Sequence, residues 1–287
     1  MSRQLHAVAH GFGFLEGPRW LRDRIYVSDF VSERVLTISP DGRTDTVCHV
    51  PGRPSGLGVD PGGALLVVSM KDRRLLRYDG STLLEVADLS SLSEHPCNDL
   101  LTDPQGRSYV GSYGFDLDSG APLATTSLLL VQPDGAITVA ADDLVFPNGM
   151  VLTADGRRLY VAETFASRIS RFDVAADGTL TNRTYWCEFA DGVLPDGMAG
   201  DAEGALWVAD ASGGGALRVL SGQVVERVET GDLVCYAVAL GGDDGRDLYL
   251  CAAPPLGPAF PLDAGVLLRT RVTVPGASPR PAAKTGG

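Results

Sequence analysis

Asn148 and Asp196 stand in two versions of one phrase. FPNGMVLTADGRRLYVAE covers residues 146–163, and LPDGMAGDAEGALWVAD covers residues 194–210. Each has a proline, a small polar residue and a glycine, then apolar residues, an acidic-glycine turn and an aromatic-containing strand. Either polar residue alone reads as a turn, because Asn and Asp before glycine commonly make one. Matched positions elsewhere change that reading. Glu16 in EGPRW, Ser55 in SGLGV, Asn98 in NDLLT and a position near Tyr236 in YAVAL lead similar units. Four of these six leads carry a carboxylate or amide oxygen. If the units close into a ring, those oxygens converge. The carboxylates of Glu16 and Asp196, about 5 Å apart in an effective dielectric near 20, repel by roughly 3 kcal/mol. A proton or a cation relieves this, and amide oxygens favour the cation, since they add ligands without adding charge. An all-oxygen donor set suits one divalent cation: Ca²⁺ first, then Mg²⁺ or Mn²⁺, with Zn²⁺ also admitted.

The elements that must position these residues are strands. RIYVSDF, ALLVVSM, RSYVGSY, RLYVAET, ALWVADA and DLYLCAA are short runs rich in β-branched and aromatic residues, each following an Asp, Glu or Gly turn. No long segment carries a 3.6-residue period. The six leads are separated by 39, 43, 50, 48 and about 40 residues, the length of a four-stranded propeller blade. Second and third strands follow in most units, as in RRLLRYDG and LLEVADL. The expected fold is therefore all-β, a six-bladed β-propeller of four-stranded blades with a metal site at one mouth of the central channel. The ring is expected to close by pairing GVLLRTRVTV with the N-terminal RQLHAVAH. One domain spans residues 1–274, and 275–287 is read as a disordered tail. A two-sheet sandwich is the competing fold, but six matched units are too many for it.

Composition agrees with a turn-rich globular protein. The 287 residues include 35 Gly and 18 Pro, spread evenly, which marks many turns rather than a linker. A formal charge of −12 repels a phosphate backbone, so nucleic acid is not an expected partner. Five cysteines without a CxxC suit free, buried thiols in a reducing compartment. No apolar run is long enough for a membrane span, and the expectation is a cytoplasmic protein acting on a small molecule. Oligomeric state is not legible.

With these residues placed, the chain resembles the regucalcin/gluconolactonase family (senescence marker protein and its bacterial relatives). EGPRW, FPNGM, PDGMAGDAEGALWVAD and ALGGDDGRDLYLCAA carry the resemblance, which runs from about Phe14 to Ala253. It implies a six-bladed propeller with one divalent cation at the channel mouth and hydrolysis of a sugar-type lactone. By position it implies Glu16, Asn148 and Asp196 as metal ligands, with Asp196 also the general base. Asn98 matches a substrate-facing asparagine, which in the related diisopropyl-fluorophosphatase branch also ligates the metal. Asp116, in GSYGFDLDSG, matches an acidic substrate-contacting position, and the segment around it, with Tyr113 and Phe115, is a candidate lid. One departure stands out. Sugar-lactone members commonly carry an arginine two residues before the asparagine, where this chain has Pro96.

The expected chemistry is metal-assisted ester hydrolysis, with Asp196 accepting a proton from the attacking water and Asn98 donating its amide to the substrate. A metal-bound water as nucleophile fits the same residues. Rival chemistries lack their motifs: there is no G-x-S-x-G elbow, no Walker sequence and no dinucleotide fingerprint. SGGGAL reads as a hairpin, His6 and His10 as a strand face, and Cys97 as a buried inert thiol. The alternatives are a non-hydrolytic biosynthetic enzyme, a small-molecule or calcium-binding propeller, and a phosphotriesterase-like hydrolase.

Overall fold

The computed structural model describes residues 3–190, 192–257 and 260–277. These form six four-stranded antiparallel sheets. Five blades are built in chain order, their innermost strands being Leu15–Leu21, Pro54–Val59, Cys97–Thr102, Pro147–Leu152 and Pro195–Gly200. The sixth places Val234–Gly241 innermost and takes its outer strand, His6–Phe12, from the N-terminus. That outer strand pairs with Gly265–Arg271, so the two ends of the chain close the ring as expected.

The alternation of the second strands explains why they read as continuous apolar runs. In Arg158–Glu163, Leu159 and Val161 pack toward the third blade with Tyr109 and Leu130, while Tyr160 and Ala162 pack toward the fifth with Met198 and Leu217. Successive side chains point to opposite faces, and both faces are covered by a neighbouring blade. Each fully buried Leu or Val contributes roughly 1.5–3 kcal/mol.

The acidic-glycine turns join inner strands to second strands. Asp103 Oδ1 accepts the N–H groups of Gln105 and Arg107, and Asp201 Oδ1 those of Glu203 and Ala205. Their other oxygens hold Arg107 at 2.6 Å and Arg218 at 2.7 Å. These carboxylates serve turns, and they sit at the opposite end of the inner strands from the leads.

The inner strands crowd the axis. A Cβ on Gly17 would stand 2.8 Å from the Ser55 carbonyl of the next blade, and one on Gly149 2.6 Å from the Met198 nitrogen. Glycine after four of the six leads, Glu16, Ser55, Asn148 and Asp196, thus lets adjacent inner strands approach closely. Residues 275–277, in the expected tail, bond to the fifth and sixth blades, Gly276 bridging to Asp201. The rest, 278–287, lies outside the described residues. His6 and His10 are exposed on a strand, and Cys97 is buried with its thiol pushed up to about 12 by burial.

Candidate active site

Each inner strand is irregular at its lead residue or, in the first blade, just after it, where Glu16 still pairs with Ser28 and the bulge holds Gly17 and Pro18. Pro147 pairs with Glu163, yet Met150 pairs with Val161, so a bulge contains Asn148 and Gly149. The same shift falls between Pro195 and Met198, Cys97 and Leu100, Pro54 and Leu57, and Glu16 and Arg19. An extra residue at this point re-aims a side chain out of the ladder. In the sixth blade the shift lies between Cys235 and Ala237, which puts Cys235 and Tyr236 at that level.

The bulges gather charge. Glu16 is raised well above the usual carboxylate range, by burial first, then by Asp196 and Asp99. Asp196, 6% exposed, is likewise raised well above its ordinary value by burial and by Asp99, with the Gly197 N–H and the Asn148 side chain opposing. Burial also raises Asp99, against the pull of Arg19. Three carboxylates therefore share one enclosed space. Among the described residues no three His, Cys, Asp or Glu side chains are grouped to hold an ion by themselves. An ion here needs the amides as well.

The polar atoms suit that role. Asp196 Oδ1 is buried without a hydrogen-bond partner, an unusual cost for a native interior. Asn148 donates its amide nitrogen to Thr164 Oγ1 at 3.2 Å, and Thr164 donates onward to the Pro195 carbonyl at 2.8 Å. This fixes the amide orientation and leaves its oxygen as the acceptor. Asn98 differs: its Oδ1 accepts from Ser55 Oγ at 3.3 Å, so its amide nitrogen is the group left to act as a donor. Glu16 Oε2 accepts the Gly17 N–H at 3.3 Å. An orphaned buried carboxylate oxygen beside a second carboxylate and an oriented amide fits a hard divalent cation held by Glu16, Asn148 and Asp196.

Aromatic residues surround this floor. Tyr113 stacks on Phe146 at 4.6 Å, and Phe115 and Phe165 pack on the same ring. Burial, then the charges of Glu16 and Asp196, push the Tyr113 phenol well above its ordinary value. On the other side Phe14 packs against Phe30, Tyr236 and Phe260. The Tyr236 hydroxyl donates to the Pro254 carbonyl and accepts the Leu256 N–H, both at 3.2 Å.

Asp116 is not brought to this group. It is exposed in the loop after Ser108–Ser112, where its carboxylate accepts the Ser119 N–H at 3.1 Å and closes a turn. A four-residue motif cannot reveal that a turn N–H has claimed the oxygen. Sequence reasoning also passed over Asp99 and Arg19. Asp99 had a visible signal, since it occupies a column where the other polar leads are followed by Gly17, Gly56, Gly149 and Gly197.

The opposite mouth holds a cavity of about 670 Å³ lined by Trp20, Pro61, Pro104, Leu152 and others. Its acids are engaged: Asp60 holds the Ala64 N–H and Arg77, and Asp103 holds its turn and Arg107. No helix among the described residues is long and apolar enough to cross a membrane.

A 6-deoxy-6-sulfogluconolactonase of Pseudomonas putida is 30% identical over 273 residues, covering 91% of this chain and 92% of its own. A pentonolactonase of Haloferax volcanii is 28% identical over 83% of this chain and 81% of its own. Among solved structures, a gluconolactonase of Xanthomonas campestris, 25% identical, has a TM-score of 0.77 over 96% of this chain and 90% of its own. A family model described as SMP-30/gluconolactonase/LRE-like region matches residues 14–254. The chain belongs to that family.

Proposed function

We propose that this protein is a divalent-cation-dependent lactonase that opens a sugar-type lactone by water attack. The observation that carries the reading is the buried, unpartnered Asp196 Oδ1 among Glu16, Asp99 and the oriented Asn148 amide. The relatives named as lactonases, one at 30% identity over most of both chains, support the substrate class.

Glu16, Asn148 and Asp196 are the residues that would hold the cation. When bound, the cation supplies a Lewis acid toward the lactone carbonyl oxygen and a counter-charge for the carboxylates, Ca²⁺ being the first choice for this donor set. Asp196 is ionised in that state and takes a proton from the attacking water. The water oxygen bonds to the carbonyl carbon as negative charge gathers on the carbonyl oxygen. The ring C–O bond then breaks, and the departing alkoxide takes the proton from Asp196. Asn98 donates its amide to a substrate oxygen, and the Phe146 ring cluster excludes bulk water from the reacting atoms.

The test is a panel of lactones, simple esters and phosphotriesters at neutral pH, with Ca²⁺ and with chelator. Chelator-sensitive opening of a lactone that disappears in Asp196→Ala supports the reading. Tight Ca²⁺ binding without turnover of any panel member favours the binding-protein alternative.

A further inference from the structure

A second ring lies one step out from the leads. Phe14, Arg53, Pro96, Phe146 and Leu194 each stand two residues before a lead. Their equivalence is structural. Each carbonyl accepts the N–H of the residue just past the second strand of its own blade: Phe30 at 3.2 Å, Met70 at 2.8 Å, Tyr113 at 3.0 Å, Thr164 at 3.2 Å and Ala211 at 2.9 Å. Arg53 and Phe146 share a left-handed backbone as well, with φ of 67° and 54°. Bulky residues seldom adopt it, and such strain gathers at functional sites.

Four members of this collar are apolar, and Arg53 is the charged one. Its guanidinium carbon lies 5.9 Å from the centroid of the Phe30 ring, and Phe30 in turn packs on Phe14 at 4.6 Å. The half-buried side chain is thereby held on an aromatic platform. Arg107, Arg168, Arg183 and Arg218 each grip a buried carboxylate. Among the described residues the Arg53 guanidinium has neither an ion pair nor a hydrogen bond. Arg53 stands two residues before Ser55, at the same ends of the inner strands as the leads Glu16 and Asp196.

Resting on the lactonase reading, we propose that Arg53 selects lactones carrying an anionic oxygen substituent remote from the ring carbonyl. Carboxylate, phosphate and sulfonate share the chemistry that a guanidinium fork recognises in two parallel hydrogen bonds. With the cation and the Asn98 amide engaging the lactone end at the floor, the remote anionic group is left to point outward to the collar, where Arg53 stands. Arg53 acts as a specificity residue and orients the ring without touching the reacting atoms.

The experiment compares kcat/KM of the Ca²⁺-loaded protein for gluconolactone, the C6-phosphorylated lactone and a lactone with a C6 carboxylate. It uses the unaltered chain, Arg53→Met and Arg53→Lys, with melting curves to establish folding. The expected result is a preference of at least 10-fold for one anionic lactone, and a fall of about 50-fold in the anionic-to-neutral ratio in Arg53→Met, carried mainly by KM. Arg53→Lys retains part of the ratio. The two anionic arms tell phosphate from carboxylate. A ratio in Arg53→Met within twofold of the unaltered chain, or no anionic preference at the start, overturns the proposal. If no lactone is opened, the lactonase reading fails, and calorimetric titration with the C6-carboxylated open-chain acid still decides Arg53. Saturable binding lost in Arg53→Met supports the assignment, and no binding to the unaltered chain ends it.

Discussion

Arg19 and Asp99 face each other inside the channel, Nη2 to Oδ1 at 3.8 Å, and the same nitrogen donates to the Leu100 carbonyl at 2.7 Å. Arg19 is the cation that offsets the third carboxylate beneath Glu16 and Asp196. Arg19→Met is expected to tighten Ca²⁺ binding by about 3–10-fold, since an uncompensated Asp99 makes the space more negative, and to cost the cation-free protein about 1 kcal/mol. Calorimetric titration and urea unfolding in chelator check both. Unchanged affinity means that Arg19 does not balance Asp99.

Asp196→Asn removes the proposed base and one charge while keeping the shape. Turnover is expected to fall by roughly 10²–10⁴-fold, the usual worth of a positioned base. In chelator the same variant is expected to be more stable than the unaltered chain, because two repelling carboxylates remain instead of three. A less stable cation-free variant would count against mutual repulsion at this site.

The cation-free protein carries a pH signature. Glu16, Asp99 and Asp196 all have folded-state ionisation raised above its ordinary value, by burial and by one another's charge or against the pull of Arg19. For such groups the stabilising contribution is complete below the unfolded pKa and is lost as pH rises through the folded one. Between about pH 5 and pH 8 the melting temperature in chelator is therefore expected to drop by several degrees, while with saturating Ca²⁺ it stays flatter. Parallel curves with and without the cation refute a carboxylate cation site.

Glu163 behaves in the opposite sense. It is fully buried and accepts bonds from Arg168 at 2.8 Å, Arg183 at 2.7 Å, Ser170 at 2.5 Å and the Val145 N–H at 2.9 Å. Burial pushes its ionisation up, but these donors outweigh it and hold the carboxyl below its ordinary range. Its stabilisation is present above the unfolded pKa and lost as pH falls through the folded one. Glu163→Gln leaves two arginines without their counter-charge and is expected to cost about 3–5 kcal/mol by urea unfolding at pH 7, less in acid. Glu163 pairs with Pro147 in the strand register, so the variant should also weaken cation binding through Asn148.

Much of the fold and part of the site were legible along the chain. Alternating apolar strands, turns built on Asp and Gly, and a recurring lead residue are local properties, set by the two-residue period of a strand and by side-chain bonds to nearby N–H groups. They sufficed to count six blades and to single out Glu16, Asn98, Asn148 and Asp196. The tertiary structure decided what those residues face. Bulges at the leads depend on one-residue register shifts, Arg19 beside Asp99 and Arg53 on the Phe30 ring join different blades, and the Asp116 oxygen is taken by a Ser119 N–H that only the folded loop brings to it. Burial and electrostatic fields come from all six wedges at once, and no local stretch of sequence carries that sum.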